Sequence, residues 1–158
     1  MALNIPLPIT GACQCRAVGY EIRAAPLVVY ACHCTECQRQ SGSAFSLSLI
    51  ASRESVVVTR GGAARWRRQH ESGRVIQCVL CGDCGARLFH EPEANPKVTV
   101  VKPGTLDDTR WLHPVGHIWT RSAQPWFPLP ADTVNYDVQP PNLERLIAAW
   151  QSYVSANS

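Results

Sequence analysis

The pattern of apolar and polar positions along most of the chain predicts short β-strands. Residues 17–23 and 44–51 alternate with the two-residue period of a half-buried strand, residues 55–60 are rich in valine, and glycine or proline separates most of the runs. The predicted strands cover residues 17–23, 27–31, 44–51, 55–60, 63–70, 74–80, 86–90 and 97–102. Residues 63–70 and 74–80 form a hairpin that turns at 71–73. From 107 to 141 the pattern predicts extended segments that wrap a sheet. The fold class is therefore all-β.

In two segments the residue pattern predicts an α-helix instead of a strand. Residues 35–41 fit one short helical stretch closed by Gly42, because glycine tolerates the left-handed conformation of a helix C-cap. Asn142 is a suitable N-cap for a C-terminal helix over 142–155. The apolar residues of this helix recur on one face, at Leu143, Leu146, Ile147, Trp150 and Val154. We expect that face to pack on the body of the protein; dimerisation is the alternative.

The length of 158 residues predicts a single domain over 1–158. The hydrophobic fraction of 46% suffices for a core. No apolar run reaches membrane-spanning length, so no membrane span is expected. The first residues lack the basic and apolar regions of a signal peptide. Eight cysteines without such a signal favour a reducing, cytoplasmic location and metal binding over disulfides.

The formal net charge of +3 does not make the chain a polyanion binder. Seven metal-bound thiolates and two zinc ions would bring the sum to zero. One arginine-rich segment, residues 65–68, combines positive charge with an aromatic side chain, as nucleic-acid sites do. On a predicted hairpin, a buried Trp66 flanked by solvated arginines is the simpler expectation. Nucleic acid is therefore not an expected partner.

The cysteines fall into three clusters whose internal spacings of one or two residues suit metal knuckles and are too short for ordinary disulfides. One cluster supplies a Cys-x-Cys pair, and another supplies a Cys-x-x-Cys pair. A structural zinc ion commonly takes its four ligands from two such sequence-distant turns. The expected closed site consists of Cys13, Cys15, Cys81 and Cys84.

The central knuckle contains Cys32, Cys34 and Cys37, which offer three thiolates to a second zinc ion. Cys78 is either a fourth ligand that closes this site, a buried apolar residue or a regulatory thiol. Three thiolates leave the site with one net negative charge, which weakens a zinc ion as a Lewis acid. Such a site suits the binding of a substrate thiol, and carbon–sulfur bond formation or cleavage, better than hydrolysis.

Three further residues are candidates for substrate binding. His33 and Arg39 flank the central knuckle, and arginine recognises the carboxylates of an anionic substrate. His117 is a candidate pocket residue. Although His113 and His117 have the spacing of a helical metal pair, Pro114 and Gly116 lie between them, so a ligand pair is not expected there.

Three motifs occur along the chain, and they are Gly11-Ala-Cys-Gln-Cys-Arg, Cys32-His-Cys-Thr-Glu-Cys-Gln-Arg-Gln-Ser-Gly and Cys81-Gly-Asp-Cys-Gly-Ala-Arg-Leu-Phe, followed by His117-Ile-Trp. In this order they resemble the glutathione-dependent formaldehyde-activating enzyme family, which includes centromere protein V. The resemblance runs from about 11 to 130, which implies a domain core over about 11–130 and a C-terminal extension over 131–158. The sequence departs from the family pattern at Arg16, at Leu80, at the additional Cys78 and in the predicted C-terminal helix.

The resemblance implies a zinc-bound β-sheet fold of the Mss4-like type with two zinc ions. It implies that Cys13, Cys15, Cys81 and Cys84 hold the structural ion and that Cys32, Cys34 and Cys37 hold the catalytic one. It further implies a carbon–sulfur lyase activity in which glutathione and formaldehyde form S-(hydroxymethyl)glutathione. The kinship to centromere protein V leaves an alternative, a non-catalytic binding or scaffold module with two structural zinc ions. The sequence does not give the oligomeric state.

Overall fold

The computed structural model describes residues 4–70 and 73–158, and most of their regular structure is β-strand. The strands β1 to β11 are, in chain order, Ile9–Ala12, Gly19–Ile22, Val28–Cys32, Ser46–Ser52, Val56–Arg60, Ala63–Gln69, Val75–Cys81, Arg87–Pro92, Val98–Val101, Gly116–Ile118 and Val134–Tyr136. The α-helices are α1, Thr35–Ser41, and α2, Glu144–Asn157. The predicted all-β class with a short helix and a C-terminal helix is confirmed.

The chain folds into two compact units. The first unit contains residues 27–48 and 112–158, and the second contains residues 4–26 and 49–111. Strand β4 begins in the first unit and ends in the second. The single-domain organisation therefore stays a prediction.

Three neighbouring strands of the first unit run parallel to one another. Strand β10 lies between β3 and β11 and runs parallel to both, with His117 beside Ala31 and Ile118 beside Cys32. All five residues of β3 are buried. This burial explains the unbroken apolar run of β3, which is typical of parallel strands covered on both faces. The residue pattern did not predict β1, β10 or β11.

Helix α2 packs on this sheet through a narrow apolar face. Leu146 and Trp150 are buried, and α2 contacts β3 and β11. Asn142 accepts a hydrogen bond from the backbone N–H of Glu144 at 3.0 Å, which helps to start the helix close to its predicted beginning. Within the described part of the chain, no helix combines the length and apolar character needed to cross a membrane.

The second unit contains antiparallel strands. Strands β1, β2 and β5 form one three-stranded sheet in that order, and β4, β9, β8, β7 and β6 follow one another in the other sheet. Tyr20 packs edge-on against Phe89 with ring centroids 4.8 Å apart, and its hydroxyl is hydrogen-bonded to Thr105 at 2.7 Å. The buried tyrosine thus keeps a polar partner, as burial of a hydroxyl requires.

The predicted hairpin is formed by β6 and β7, but the expectation of a buried Trp66 is wrong. Strand β6 is the edge strand of its sheet, so Trp66 is 54% exposed and lies under the guanidinium group of Arg87. Arg65 and Arg67 form ion pairs with Glu91 and Glu93. Apart from Gly73, the turn predicted at 71–73 lies outside the described residues.

Gly116 permits the close approach of three elements in the first unit. A Cβ atom on Gly116 would lie 2.2 Å from Leu146 Cδ2 and 2.5 Å from the carbonyl oxygen of Val134. Both distances are too short for contact, so β10, β11 and α2 would have to separate.

Gly116→Ala is therefore expected to destabilise the protein by about 1–3 kcal/mol, because the methyl group overpacks a buried contact. Chemical unfolding followed by circular dichroism measures the change. Gly104→Ala is the matched control, because a Cβ atom at Gly104 meets nothing within 4 Å. Equal stability of the two variants would contradict the close packing of α2 on β10.

Candidate metal centres

Four cysteine sulfurs converge in the second unit. The Sγ atoms of Cys13, Cys15, Cys81 and Cys84 all lie within 4.8 Å of one another. The Cys15 sulfur is 3.6 Å from that of Cys13 and 3.7 Å from that of Cys81. These separations exceed the length of a disulfide bond. They match the edge of about 3.8 Å in a tetrahedron of sulfurs around a zinc ion with bonds of about 2.3 Å.

Backbone hydrogen bonds shape the two turns that supply these sulfurs. In the first turn, the N–H of Arg16 donates to the carbonyl of Cys13 at 2.9 Å, and the N–H of Val18 donates to the Cys13 sulfur at 3.2 Å. In the second, the N–H of Gly85 donates to the carbonyl of Cys81 at 3.0 Å. Gly85 has a φ of +73°, which a glycine adopts without strain.

The thiols of this group differ in acidity because their neighbours differ. Hydrogen bonds from the backbone N–H groups of Cys15 and Ala86 lower the pKa of Cys84 to about 6. The backbone N–H of Ala17 favours a Cys15 thiolate, but the adjacent Cys13 thiol and burial together raise the pKa of Cys15 to about 12. A bound cation is needed to hold all four groups as thiolates at neutral pH.

The second cluster lies in the first unit and brings Cys32, Cys34 and Cys37 together. Their sulfurs also lie within 4.8 Å of one another. Cys34 is the N-cap of α1, and its sulfur accepts a hydrogen bond from the N–H of Cys37 at 3.2 Å. Gly42 ends α1 in the left-handed conformation at a φ of +61°. The predicted bounds of this helix are confirmed.

The electrostatics of this cluster also favour a cation. The adjacent Cys34 and Cys37 side chains, together with burial, strongly raise the pKa of Cys32. Three thiolates can occupy this space only if positive charge neutralises them. The all-sulfur donor set fits a soft or borderline divalent metal ion such as zinc, with Cys32, Cys34 and Cys37 as its protein ligands.

Cys78 belongs to neither cluster. It lies in the middle of β7, where its strand neighbours are Trp66 on β6 and His90 on β8, and it is fully buried. This environment is that of a small apolar residue in a sheet.

The two histidine candidates form a buried pair next to the second cluster. His33 Nε2 and His117 Nδ1 are 2.9 Å apart, and the two residues are 0% and 3% exposed. Burial lowers the pKa of His33, whereas burial and the neighbouring His33 lower the pKa of His117 to about 4. Both rings are therefore neutral at pH 7, and one N–H donates to the other nitrogen.

The remaining candidate lies on α1, and residues that the sequence pattern missed contact His33. Arg39 lies exposed in the last turn of α1. Phe45 and Phe127 pack on His33 with ring centroids 5.2 and 5.1 Å away. The amide group of Gln38 connects the knuckle to a later loop. Gln38 lies within the motif of the central knuckle, but its hydrogen bonds were not predicted, and no periodicity or motif in the sequence indicated Phe127.

Comparisons with known proteins match most of the chain. The family model described as glutathione-dependent formaldehyde-activating enzyme matches residues 8–122. A Penicillium rubens protein provisionally named as such an enzyme is 28% identical, and the match covers 90% of this chain and 83% of the relative. A Colletotrichum graminicola protein of the same provisional name is 27% identical, with 87% and 80% covered.

A solved structure shares the fold. The crystal structure of a Rhodobacter sphaeroides protein superposes with a TM-score of 0.51 at 22% identity, covering 65% of this chain and 91% of that one. At this identity the likeness concerns the fold alone.

Metal analysis of the purified protein is expected to find two zinc ions per chain. Cys81→Ser should remove one ion and lower the free energy of unfolding by about 4 kcal/mol or more, because a structural metal ligand is lost. Cys78→Ala is the control and should retain both ions. Loss of an ion in Cys78→Ala, or none in Cys81→Ser, would contradict this assignment.

Proposed function

The chain belongs to the glutathione-dependent formaldehyde-activating enzyme family, and we propose that it is a zinc enzyme that joins a small thiol to an aldehyde or cleaves the adduct. The thiol of our proposal is glutathione, and the product with formaldehyde is S-(hydroxymethyl)glutathione. The thiol sulfur bonds to the carbonyl carbon, and the carbonyl oxygen takes up a proton. The reverse reaction is a carbon–sulfur lyase reaction.

The three-sulfur knuckle is the observation that carries this proposal. Cys32, Cys34 and Cys37 form a group of three possible metal ligands, whereas Cys13, Cys15, Cys81 and Cys84 form a group of four. A group of four protein ligands is typical of a structural zinc site, and three leave a coordination position for substrate. Zinc held there would lower the pKa of a thiol ligand, which supplies the nucleophilic thiolate of the reaction.

The protein side chains of the knuckle also select the type of chemistry. Three thiolates place more negative charge around a divalent ion than three neutral histidines do, which disfavours activation of water. Cys32 is buried, while Cys34 and Cys37 are partly exposed. A thiol can therefore approach the knuckle from the side of Cys34 and Cys37.

Arg39 is the residue to which we assign substrate recognition. It is an exposed cation on the same short helix as Cys37. A guanidinium group there suits one of the two carboxylates of glutathione. We do not assign substrate contact to His33, because it is fully buried. The absence of disulfide bonds among the eight cysteines, all of them described residues, agrees with a cytoplasmic, reducing location for such an enzyme.

Cys34→Ser is expected to abolish catalysis while the protein stays folded. The assay is the exchange between formaldehyde and S-(hydroxymethyl)glutathione, followed by nuclear magnetic resonance at fixed glutathione concentration. Cys78→Ala is the control and should retain the parent exchange rate. A parent exchange rate no faster than the uncatalysed one would instead support a non-catalytic module with two structural metal ions.

Arg39→Gln is expected to raise KM for glutathione about fivefold and to leave kcat unchanged, because an exposed ion pair contributes about 1 kcal/mol. Steady-state kinetics with glutathione as the varied substrate measure both constants. Arg110→Gln removes an exposed arginine of the second unit and should change neither. An unchanged KM in Arg39→Gln would remove Arg39 from the proposed site.

A further inference from the structure

We propose that His117 and Gln38 are positioning residues that preorganise the three-cysteine knuckle, and that both act through His33. The inference rests on the proposed metal site at Cys32, Cys34 and Cys37. It does not depend on which thiol the enzyme uses.

His33 is held at three of its atoms. Its backbone N–H donates to the carbonyl of Ile118 at 3.0 Å, and its own carbonyl accepts from Gln38 Nε2 at 2.8 Å. Its ring nitrogen Nε2 is hydrogen-bonded to His117 Nδ1 at 2.9 Å. Because His33 is the single residue between Cys32 and Cys34, fixing it limits the directions in which the two thiols point.

Gln38 uses its whole amide group for this purpose. Nε2 donates to the carbonyls of His33 and Ser122, both at 2.8 Å, and Oε1 accepts from Gln124 Nε2 at 3.1 Å. A rotated amide would place its oxygen against two carbonyl oxygens, so one orientation is favoured. Gln38 thus links the knuckle to residues 122–124, which are 84 or more positions away in the chain.

His117 supplies the only hydrogen bond that the described residues make to the His33 ring. His33 Nδ1 is buried without a hydrogen-bond partner. Phe45 and Phe127 pack against the His33 ring and Phe127 also packs against His117, which leaves aromatic surface around the pair. Loss of the His117 nitrogen would leave both His33 nitrogens buried and unsatisfied, which favours reorientation of His33.

A free knuckle of three thiols has many arrangements, and metal binding has to select one of them. Residues that support metal ligands commonly change metal affinity by 10- to 100-fold. Here the support passes through the backbone of His33 and not through a bond to a sulfur. We therefore expect an effect near the lower end of that range.

The test is the zinc affinity of the knuckle, measured by competition with a chromophoric chelator for the more weakly held of the two zinc ions. His117→Phe keeps an aromatic ring but removes the hydrogen bond, and it is expected to weaken this ion about tenfold. His117→Asn places an amide atom near the position of Nδ1 and is expected to restore affinity close to the parent value. The absorption spectrum of the cobalt-substituted protein should change in His117→Phe and not in His117→Asn.

His113→Phe is the matched control. His113 is an exposed histidine four residues away, where its ring stacks on Tyr153. A phenylalanine keeps that stacking, so zinc affinity should not change. Parent affinity in folded His117→Phe would overturn the proposal, and so would an equal loss in His113→Phe.

A second pair of variants serves if His117→Phe does not fold. Gln38→Met removes all three amide hydrogen bonds at nearly constant length and should also weaken the same zinc ion about tenfold. Gln151→Met, an exposed position on α2, is its control. Unchanged affinity in folded Gln38→Met would overturn the proposal.

The measurement separates this inference from the function proposed above. If the parent protein binds only one zinc ion, the proposal of a catalytic zinc site at the knuckle is wrong. If it binds two, and the His117 and Gln38 variants hold both zinc ions with the parent affinity, the enzyme proposal stands and the positioning role is rejected.

Discussion

Sulfur ligands that lie within a few ångströms of one another must share a cation if all are to be thiolates at neutral pH. The two cysteine groups meet this condition within separate parts of the chain, four sulfurs in the second unit and three in the first. In the first unit, two adjacent thiols and burial strongly raise the pKa of Cys32. The local geometry of both units therefore depends on neutralising this charge, and a zinc ion with its preference for thiolate ligands is suited to do so.

The two groups differ in how the fold holds them, and this difference agrees with the structural and catalytic roles that we propose for them. The group of four joins a turn after β1 to a turn between β7 and β8, so a metal ion held there would cross-link distant segments. The group of three lies in one short segment, at the end of β3 and in α1. Its cross-links come instead from Gln38 and from the pair of His33 and His117. With three protein ligands, a zinc ion held there would keep the fourth coordination position that the proposed reaction requires.

Much of the fold could be predicted because its signals are local. Helix α1 has its N-cap at Cys34 and a left-handed Gly42 at its end, so neighbouring residues determine its bounds. Strands β10 and β11 have three residues each, too few for a periodic pattern, and parallel pairing with β3 supplies their partners. The expectation that Trp66 is buried is wrong for a related reason, because only the order of the strands in the sheet shows that β6 is an edge strand. The ligand groups followed from cysteine spacing, whereas the contact of His33 with His117 follows from the register of β10 on β3.

The most direct test of the account is zinc X-ray absorption spectroscopy of the two-zinc protein with and without glutathione. Seven protein sulfurs are expected to share the two ions in the free protein, with one lighter atom completing the shell at the knuckle. Saturating glutathione should replace that atom by one further sulfur, and Cys34→Ser should lose this response. A sulfur shell that is complete before glutathione is added, or one that glutathione leaves unchanged, would contradict an open thiol-binding site at Cys32, Cys34 and Cys37.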